Sequence, residues 1–561
     1  MGMFFKGNKK LMLSAVLIIA LGLLLAGCGG SKTGDAGDNQ GENPAPKEKI
    51  IRITASDVPN IDPGVGNDYV SSTAMANIYD TLVFPEADGT LTPWLATDWA
   101  PSEDGLTWVF NLRQGVKFHN GDELTAADVV FSMNRLVTMG EGYGYLFTGV
   151  IDQVTALEDY KVEFKLKKSF GPFLSTLVRL YILNEDEVMA NKKDGSYGEF
   201  GDYGKDWLTT HDAGSGPYMT KEIKKQEYYH AVKFDDFWGG WDLDAPDAIK
   251  LIGTTETATV RTLMNNGELE ITDQWQTEEA LKGLSQIPGV GVDAAFTGSI
   301  LNIMLNTQKA PTDDIHVRKA LAYILDYQTV ADKLFPGSQK AQGPVPFNIP
   351  GFDQNLPQYE RNIEKAKEEL AKSKYAGQLD QYPIQLTWIA EVPDEEKIAL
   401  LLQANAEEIG ITVDVIKTPW LSFVDQVSTV ENTPNASVVF VSAHYNEAGS
   451  LLHSRYHSSS TGTWEQAEWL KNAEIDKAIE DAIATIDDNE RFAKYQEIQK
   501  TIVDLCPTLW VFDQAEKRAF MKDYIYWPGN ELTKAGKGVS AVMGYNFYFH
   551  DFKVFPDKMP K

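Results

Sequence analysis

Apolar positions recur along this chain with two periods, two residues and between three and four. Residues 50–56, IIRITAS, and 161–166, KVEFKL, alternate and predict strands. "SEDG" before LTWVFNLR predicts a hairpin turn and a strand, and GSGPYMTKEI with YYHAVKF predicts a β-hairpin arm. Helical spacing runs through residues 69–83, through 394–409, which Gly410 ends before the strand ITVDVI, and through 487–505. Thr125, with Asp128 three residues on, predicts a capping-box start to the next helix. TATVRTLMNNGELEIT predicts a helix, a glycine stop and a strand, and DDIHVRKALAYILDYQTVADKLF a helix pair. Strands and helices interleave throughout, so the class is α/β, or mixed α+β, in several lobes.

The first 49 residues follow neither period. Lys6, Lys9 and Lys10 precede 16 uncharged apolar residues, 11–26. As a helix this run spans roughly 24 Å, short for a bilayer core of about 30 Å. A basic start and a short apolar core predict a secretory leader over residues 1–27. Residues 28–49 are small, polar and acidic; they bury too little to offset ordering entropy and predict a flexible tether.

Beyond the leader, 534 residues remain, enough for two to four domains. The net charge of −29 disfavours nucleic acid as a partner. There are two cysteines. Cys506 lies between a helical pattern and an apolar run and is expected to be a buried small hydrophobe. No phosphate-binding glycine loop, serine-nucleophile elbow, H-E-x-x-H or C-x-x-C motif occurs. His453 and His457 have helical i, i+4 spacing, but HSRYHS around them predicts a loop with two solvated imidazoles, and no metal or cofactor is expected. The 13 Trp and 23 Tyr are more informative, since several, including Trp275, Trp388, Trp420, Tyr445 and Trp464, stand among polar residues. Flat rings with a polar handle suit a ligand cleft.

Leu25-Ala26-Gly27-Cys28 resembles the lipobox of bacterial lipoproteins, in which the cysteine carries a diacylglyceryl group. Residues 91–136, LTPWLATDWAPSEDGLTWVFNLRQGVKFHNGDELTAADVVFSMNRL, resemble the signature stretch of the bacterial oligopeptide-, dipeptide- and nickel-binding receptors of ABC importers, solute-binding family 5. NIDPG (60–64), GSGPYMTKE (214–222), FDDFWGG (234–240), RTLMNNGELEI (261–271), HVRKALAYILDYQTV (316–330), GPVP (343–346), EEIGITVDV (407–415) and AHYNEAGS (443–450) follow in the family's order.

The resemblance implies a type-II-like periplasmic binding protein fold, two hinged lobes closing on ligand, with an extra inserted domain. Domain I would take residues 50–83, 212–301 and 520–561, domain II 84–211 and domain III 302–519. It implies a monomeric, non-enzymatic receptor anchored by Cys28 to the extracytoplasmic face of the cell membrane. Its partners would be ABC permease and ATPase subunits and a small solute, first an oligopeptide.

By the same resemblance the cleft holds Trp420, the loop Gly64-Val65-Gly66, and His444, Tyr445 and Asn446, with Trp275, Asn302 and Arg455 as further ligand contacts; Trp388 is a candidate contact from its polar surroundings. Peptide-binding members take the ligand's α-ammonium on an aspartate where this chain has His444. A free imidazole titrates near 6.5 and is mostly uncharged at neutral pH. The peptide would then be held otherwise, for instance by Glu447. An oligosaccharide or other polar solute stacked on Trp388 and Trp420, or a metal chelate on His444, His453 or His457 and Arg455, are the other cargo readings. An extracytoplasmic glycosidase is the reading from a different class.

Overall fold

The computed structural model describes residues 48–534 and 538–559. Along the chain, β1 (Ile50–Ala55) leads to α1 (Tyr69–Ile78), then β2 (Ala96–Pro101), β3 (Thr107–Leu112), α2 (Ala126–Met139), β4 (Ile151–Glu158) and β5 (Lys161–Leu166). Next come β6 (Tyr218–Lys224), β7 (Tyr228–Lys233), β8 (Ala248–Gly253), α3 (Thr257–Asn265) and the long β9 (Val290–Leu305). The last part holds α4 (Ile315–Ile324), β10 (Gln339–Lys340), β11 (Ile384–Ile389), α5 (Asp394–Glu407), β12 (Val413–Thr418), α6 (Trp420–Gln426), β13 (Ala436–Ser442), α7 (Ala448–Tyr456), α8 (Asp488–Leu505) and β14 (Thr508–Met521).

Three main sheets result. One has the order β1-β8-β7-β6, with β1 parallel to β8 and the hairpin β6/β7 at its far edge. The second is antiparallel, in the order β2-β3-β5-β4. The third is mixed, in the order β10-β14-β9-β13-β11-β12.

Local chemistry explains much of this. The Thr125 backbone N–H donates to Asp128 Oδ2 at 2.9 Å and closes the capping box of α2. Asp487 accepts from the Glu490 N–H and starts α8. Gly410, at φ +79°, turns the chain out of α5 toward β12. On β9, Leu301, Ile303 and Leu305 join a core shared with α4 and α5, whereas Ile300 and Met304 face the other core, as period two requires.

Two expectations need correction. The strand expected after Gly267 shrinks to isolated bridges, Ile271 pairing with Ile53 and with Phe520. The second helix of the pair expected in 313–335 is short: after α4, a three-residue α-helical piece, Tyr327–Thr329, runs on into a single π-helical turn, Val330–Leu334.

β9 and β14 pair from Val290/Met521 to Met304/Thr508, with a register shift between Phe296 and Ile300. Gly298 sits in the shift at φ +74°, a conformation that favours glycine. These two strands carry the six-stranded sheet toward the first sheet, where Phe520 meets Ile271.

Candidate functional site

Three separated stretches converge around His444, just beyond β13. The short turn Gly142–Leu146 brings Tyr143 and Tyr145, the turn Leu177–Arg179 brings Arg179, and the turn Trp464–Gln466 brings Glu465. His444 is 7 % exposed. Its Nδ1 meets the Tyr145 hydroxyl, and its Nε2 lies 2.8 Å from Glu465 Oε1. The two ring nitrogens thus face a hydroxyl and a carboxylate. The fully buried Arg179 donates from Nε to the His444 carbonyl at 2.7 Å and from Nη1 to the Met543 carbonyl at 2.9 Å. Its guanidinium lies over the Tyr143 ring, 4.5 Å from the centroid.

The glycine loop packs against the same wall. Asp62 is held by a bidentate Arg135 at 2.7 and 2.8 Å, and the Val65 and Gly66 N–H groups both donate to its carbonyl. A Cβ on Gly64 would lie 2.6 Å from Arg135 Nη1, and one on Gly142 would press on the Val65 backbone. Gly64 to Gly66 and the Tyr143 turn therefore touch backbone to backbone, and the Tyr143 hydroxyl donates to the Asn67 carbonyl at 3.2 Å. Trp420 is half-buried, its ring 5.1 Å from Trp464, the residue before Glu465.

The other expected contacts lie elsewhere. Trp388 is buried in the core under α5 and α4, with Lys417 over its ring. Trp275 packs on Phe440 and lines a small cavity with Phe335, Asp394 and Lys517. Arg455 forms an internal ion pair with Glu468, and Asn302 is buried on β9, where its Nδ2 donates a hydrogen bond to the Ile300 carbonyl. Tyr445 is buried with its hydroxyl close to Gly449, while Asn446 crowds Gly89 and has a buried Oδ1 without a partner. Glu447 is committed inward: Arg491 binds it at 2.8 and 2.9 Å, and the Tyr495 hydroxyl donates to Oε1 at 2.6 Å. It is therefore not free to receive an α-ammonium.

The HSRYHS stretch is also corrected. His453 lies on α7, with its ring stacked 4.7 Å from that of His457, and burial pushes its imidazole down to about 4. Among the described residues no group of three or more His, Cys, Asp or Glu is placed to hold a metal. Cys28 lies outside the described residues. Cys506 is buried as expected, ending α8 in the left-handed conformation, and burial raises its thiol to about 11.

Sequence reasoning missed Tyr143, Tyr145, Arg179, Glu465 and Asp513. Asp513 stands on β14 opposite Ile300, 3 % exposed. One oxygen accepts the Phe347 N–H at 3.2 Å, the other has no partner, and no cation contacts it. Burial pushes this carboxyl up to about 7. The loop carrying Phe347 continues to Pro350, whose carbonyl accepts the Ala448 N–H at the start of α7. The Tyr-Gly-Tyr repeat in 143–145 was the one visible sign of the aromatic wall.

The buried junction of three walls, lined with rings and polar groups, is a candidate binding site. A family model for bacterial extracellular solute-binding proteins, family 5 Middle, matches residues 90–463, two thirds of the sequence. The chain belongs to this family, the bacterial extracellular solute-binding proteins, family 5. Among the curated relatives, the probable D,D-dipeptide-binding periplasmic protein DdpA of Escherichia coli (strain K12) is 27 % identical over 488 residues, 85 % of this chain and 91 % of its own.

Among solved structures, the periplasmic binding protein DppA from Helicobacter pylori in complex with peptide STSA matches with a TM-score of 0.76 and 23 % identity, covering 91 % of this chain and 98 % of its own. The oligopeptide-binding protein AppA from Bacillus subtilis, in complex with a nonapeptide, matches at 0.75 and 21 %, covering 91 % and 100 %. The fold is thus the periplasmic binding protein fold of this family, whose members are binding proteins rather than enzymes. Among the described residues no helix is long and apolar enough to cross a membrane.

Proposed function

We propose that this protein is the substrate-binding component of an ABC importer and that its solute is a short peptide. The observation that carries this reading is the wall-to-wall contact at His444. Tyr145 and Arg179, from the part of the chain that holds the second sheet, reach the segment after β13 of the third sheet. A receptor signals occupancy by closing, and the side chains that meet on closure enclose the ligand. Moving an open-to-closed ratio from 99:1 to 1:99 takes about 5.5 kcal/mol of differential binding. Burying ~300 Å² of apolar ligand surface at ~25 cal/mol/Å² supplies roughly that before entropy costs. No catalytic group is required, and the protein is not an enzyme.

The sheets support a three-domain division. β1 and β6 to β8 fall in domain I (50–83, 212–301, 520–561), β2 to β5 in domain II (84–211), and β10 to β13 in domain III (302–519). β9 and β14 join I to III, and the register shift at Gly298 would be the hinge. The relatives' names, dipeptide- and oligopeptide-binding, support the cargo class. One observation favours an oligosaccharide as the second reading: the Trp420–Trp464 pair beside Glu465 is a stacking platform.

A thermal-shift panel of di- and tripeptides, oligosaccharides and nickel chelates decides. A peptide at a hundredfold excess over its Kd adds about 2.7 kcal/mol of stability and raises the midpoint. A shift with sugars only would retire the peptide, and turnover of any of them would retire the receptor. The protein works as a monomer held by Cys28 at the extracytoplasmic face of the cell membrane, where it meets the permease and ATPase subunits. Two or more acyl chains anchor stably at roughly 0.8 kcal/mol per buried CH₂. A palmitate analogue should label the wild type and spare Cys28→Ala; equal labelling would refute the anchor.

A further inference from the structure

The walls of the junction also meet away from His444. β5 is followed by the turn Phe170–Phe173, whose two phenylalanines are buried on either side of Gly171 and Pro172. Facing this turn is the end of the helix Ala473–Ile483. The last carbonyls of a helix have no partner within it and need donors from elsewhere. Here the donors come from the opposite wall. The Gly171 N–H donates to the Ile483 carbonyl at 2.7 Å, and the Ser169 hydroxyl donates to the Ala484 carbonyl at 2.7 Å.

Gly171 has no conformational need to be glycine, since its φ lies outside the left-handed region. Its need is space. A Cβ there would overlap the Thr485 carbonyl and lie 2.6 Å from Arg491 Nη1. That nitrogen donates to the Thr485 and Ile486 carbonyls at 2.9 and 3.0 Å, so the facing loop is held from behind. The obstacle to a Cβ is therefore fixed backbone and not the loose end of a side chain. Two more glycines of the same wall meet the same partner segments closely. A Cβ on Gly105, in the SEDG turn, would lie 2.7 Å from Ile486 Cδ1, and one on Gly89 would press on Asn446 Nδ2.

We propose that Ser169 and Gly171 are positioning residues that latch the two walls together, without touching the ligand, and hold the cleft closed before a ligand arrives. This rests on the receptor reading above. Each of the two bonds replaces one that water makes when the walls part, so the latch is weak and closure stays reversible. A latch outside the site adds the same closing tendency for every solute, because apparent affinity is the intrinsic affinity scaled by the closed fraction. Residues 169 and 171 then set how tightly the receptor binds, while the groups around His444 set what it binds.

Amide exchange of the purified full chain, with no solute added, tests this at the Gly171 N–H, whose acceptor lies across the junction. In wild type that amide should exchange at least about tenfold more slowly than in an unstructured peptide. Gly171→Ala should bring residues 168–173 to the unstructured rate. It should leave the exchange of β5 and the melting point as in wild type, because the lost contacts lie between the walls and not within one. Ser169→Ala, which removes one bond and adds no clash, should give an intermediate rate. A Gly171 amide unprotected in wild type, or protection undiminished in Gly171→Ala, would overturn the latch and leave the receptor standing. Titration with trialanine is the second arm: Gly171→Ala should bind it about tenfold more weakly than wild type. Equal affinity of the two proteins would overturn the latch. Silence of trialanine with wild type would retire the peptide, and the exchange arm alone would then decide the latch. Should Gly171→Ala not fold, wild type and Ser169→Ala decide.

Discussion

Glu447→Ala should destabilise the protein by about 3–5 kcal/mol. The carboxylate is 2 % exposed and satisfies three donors, Arg491 Nε, Arg491 Nη2 and the Tyr495 hydroxyl. Removing it strands a buried guanidinium whose remaining partners are Asp488 at the surface and the Thr485 and Ile486 carbonyls. It also loosens α7 from α8, since Glu447 caps one and Arg491 and Tyr495 stand on the other. Glu447→Gln keeps the shape and one acceptor oxygen and should lose less. Urea unfolding of the three proteins reads both differences. A loss below about 1 kcal/mol for the alanine variant would mean that the pair carries no net stability. The same experiment separates scaffold from site: the folded fraction of Glu447→Ala should bind ligand as wild type does.

Asp513→Asn should stabilise the ligand-free protein, and only above about pH 4. Burial raises the folded carboxyl to about 7, whereas in the unfolded chain it titrates near 3.9. Below pH 4 both states are protonated and the aspartate costs nothing. Between about 4 and 7 the folded state holds the extra proton, so stability falls as pH rises. Above 7 the penalty is complete, about 4 kcal/mol at about 1.4 kcal/mol for each pH unit traversed. Melting curves of wild type and variant should therefore coincide at pH 4 and diverge by pH 8. Parallel curves across that range would show that Asp513 has a counter-charge in the free protein. An ammonium-bearing ligand should narrow the gap by supplying one.

Much of the scaffold could be read from local patterns. The helices at 394–407 and 488–505, the hairpin of β6 and β7 and the capping box of α2 depend on neighbours a few residues apart, so their signals lie in short windows. The HSRYHS stretch failed because its serines and arginine suggested solvent. In the fold they are mostly buried, and Arg455 finds its acid, Glu468, thirteen residues away. Trp388 failed for a related reason: it borders polar residues in sequence, but β11 lies between β13 and β12 in the sheet and is buried along nearly all its length.

The site itself was half visible. His444, the glycine loop and Trp420 came from the family's motif order, and the structure places the first two on one wall and Trp420 beside Glu465's neighbour. Arg179 and Tyr145 reach His444 across 265 and 299 residues. No window of sequence contains such a pair.

The pairing of β9 with β14 fixes an order of events during folding. Val290 waits for Met521, 231 positions further on, and the sheet has no β14 rung until the last tenth or so of the chain is present. Closing so long a loop is slow, and contacts of this separation form late. Until then β9 keeps one edge of unpaired N–H and C=O groups, open to other strands. A chain interrupted before residue 508 would retain that edge, whereas one completed through residue 521 would cover it with its own last long strand. Pulse-labelled amide exchange should find the rungs 290–304 protected last, after the helices and the hairpin of β6 and β7.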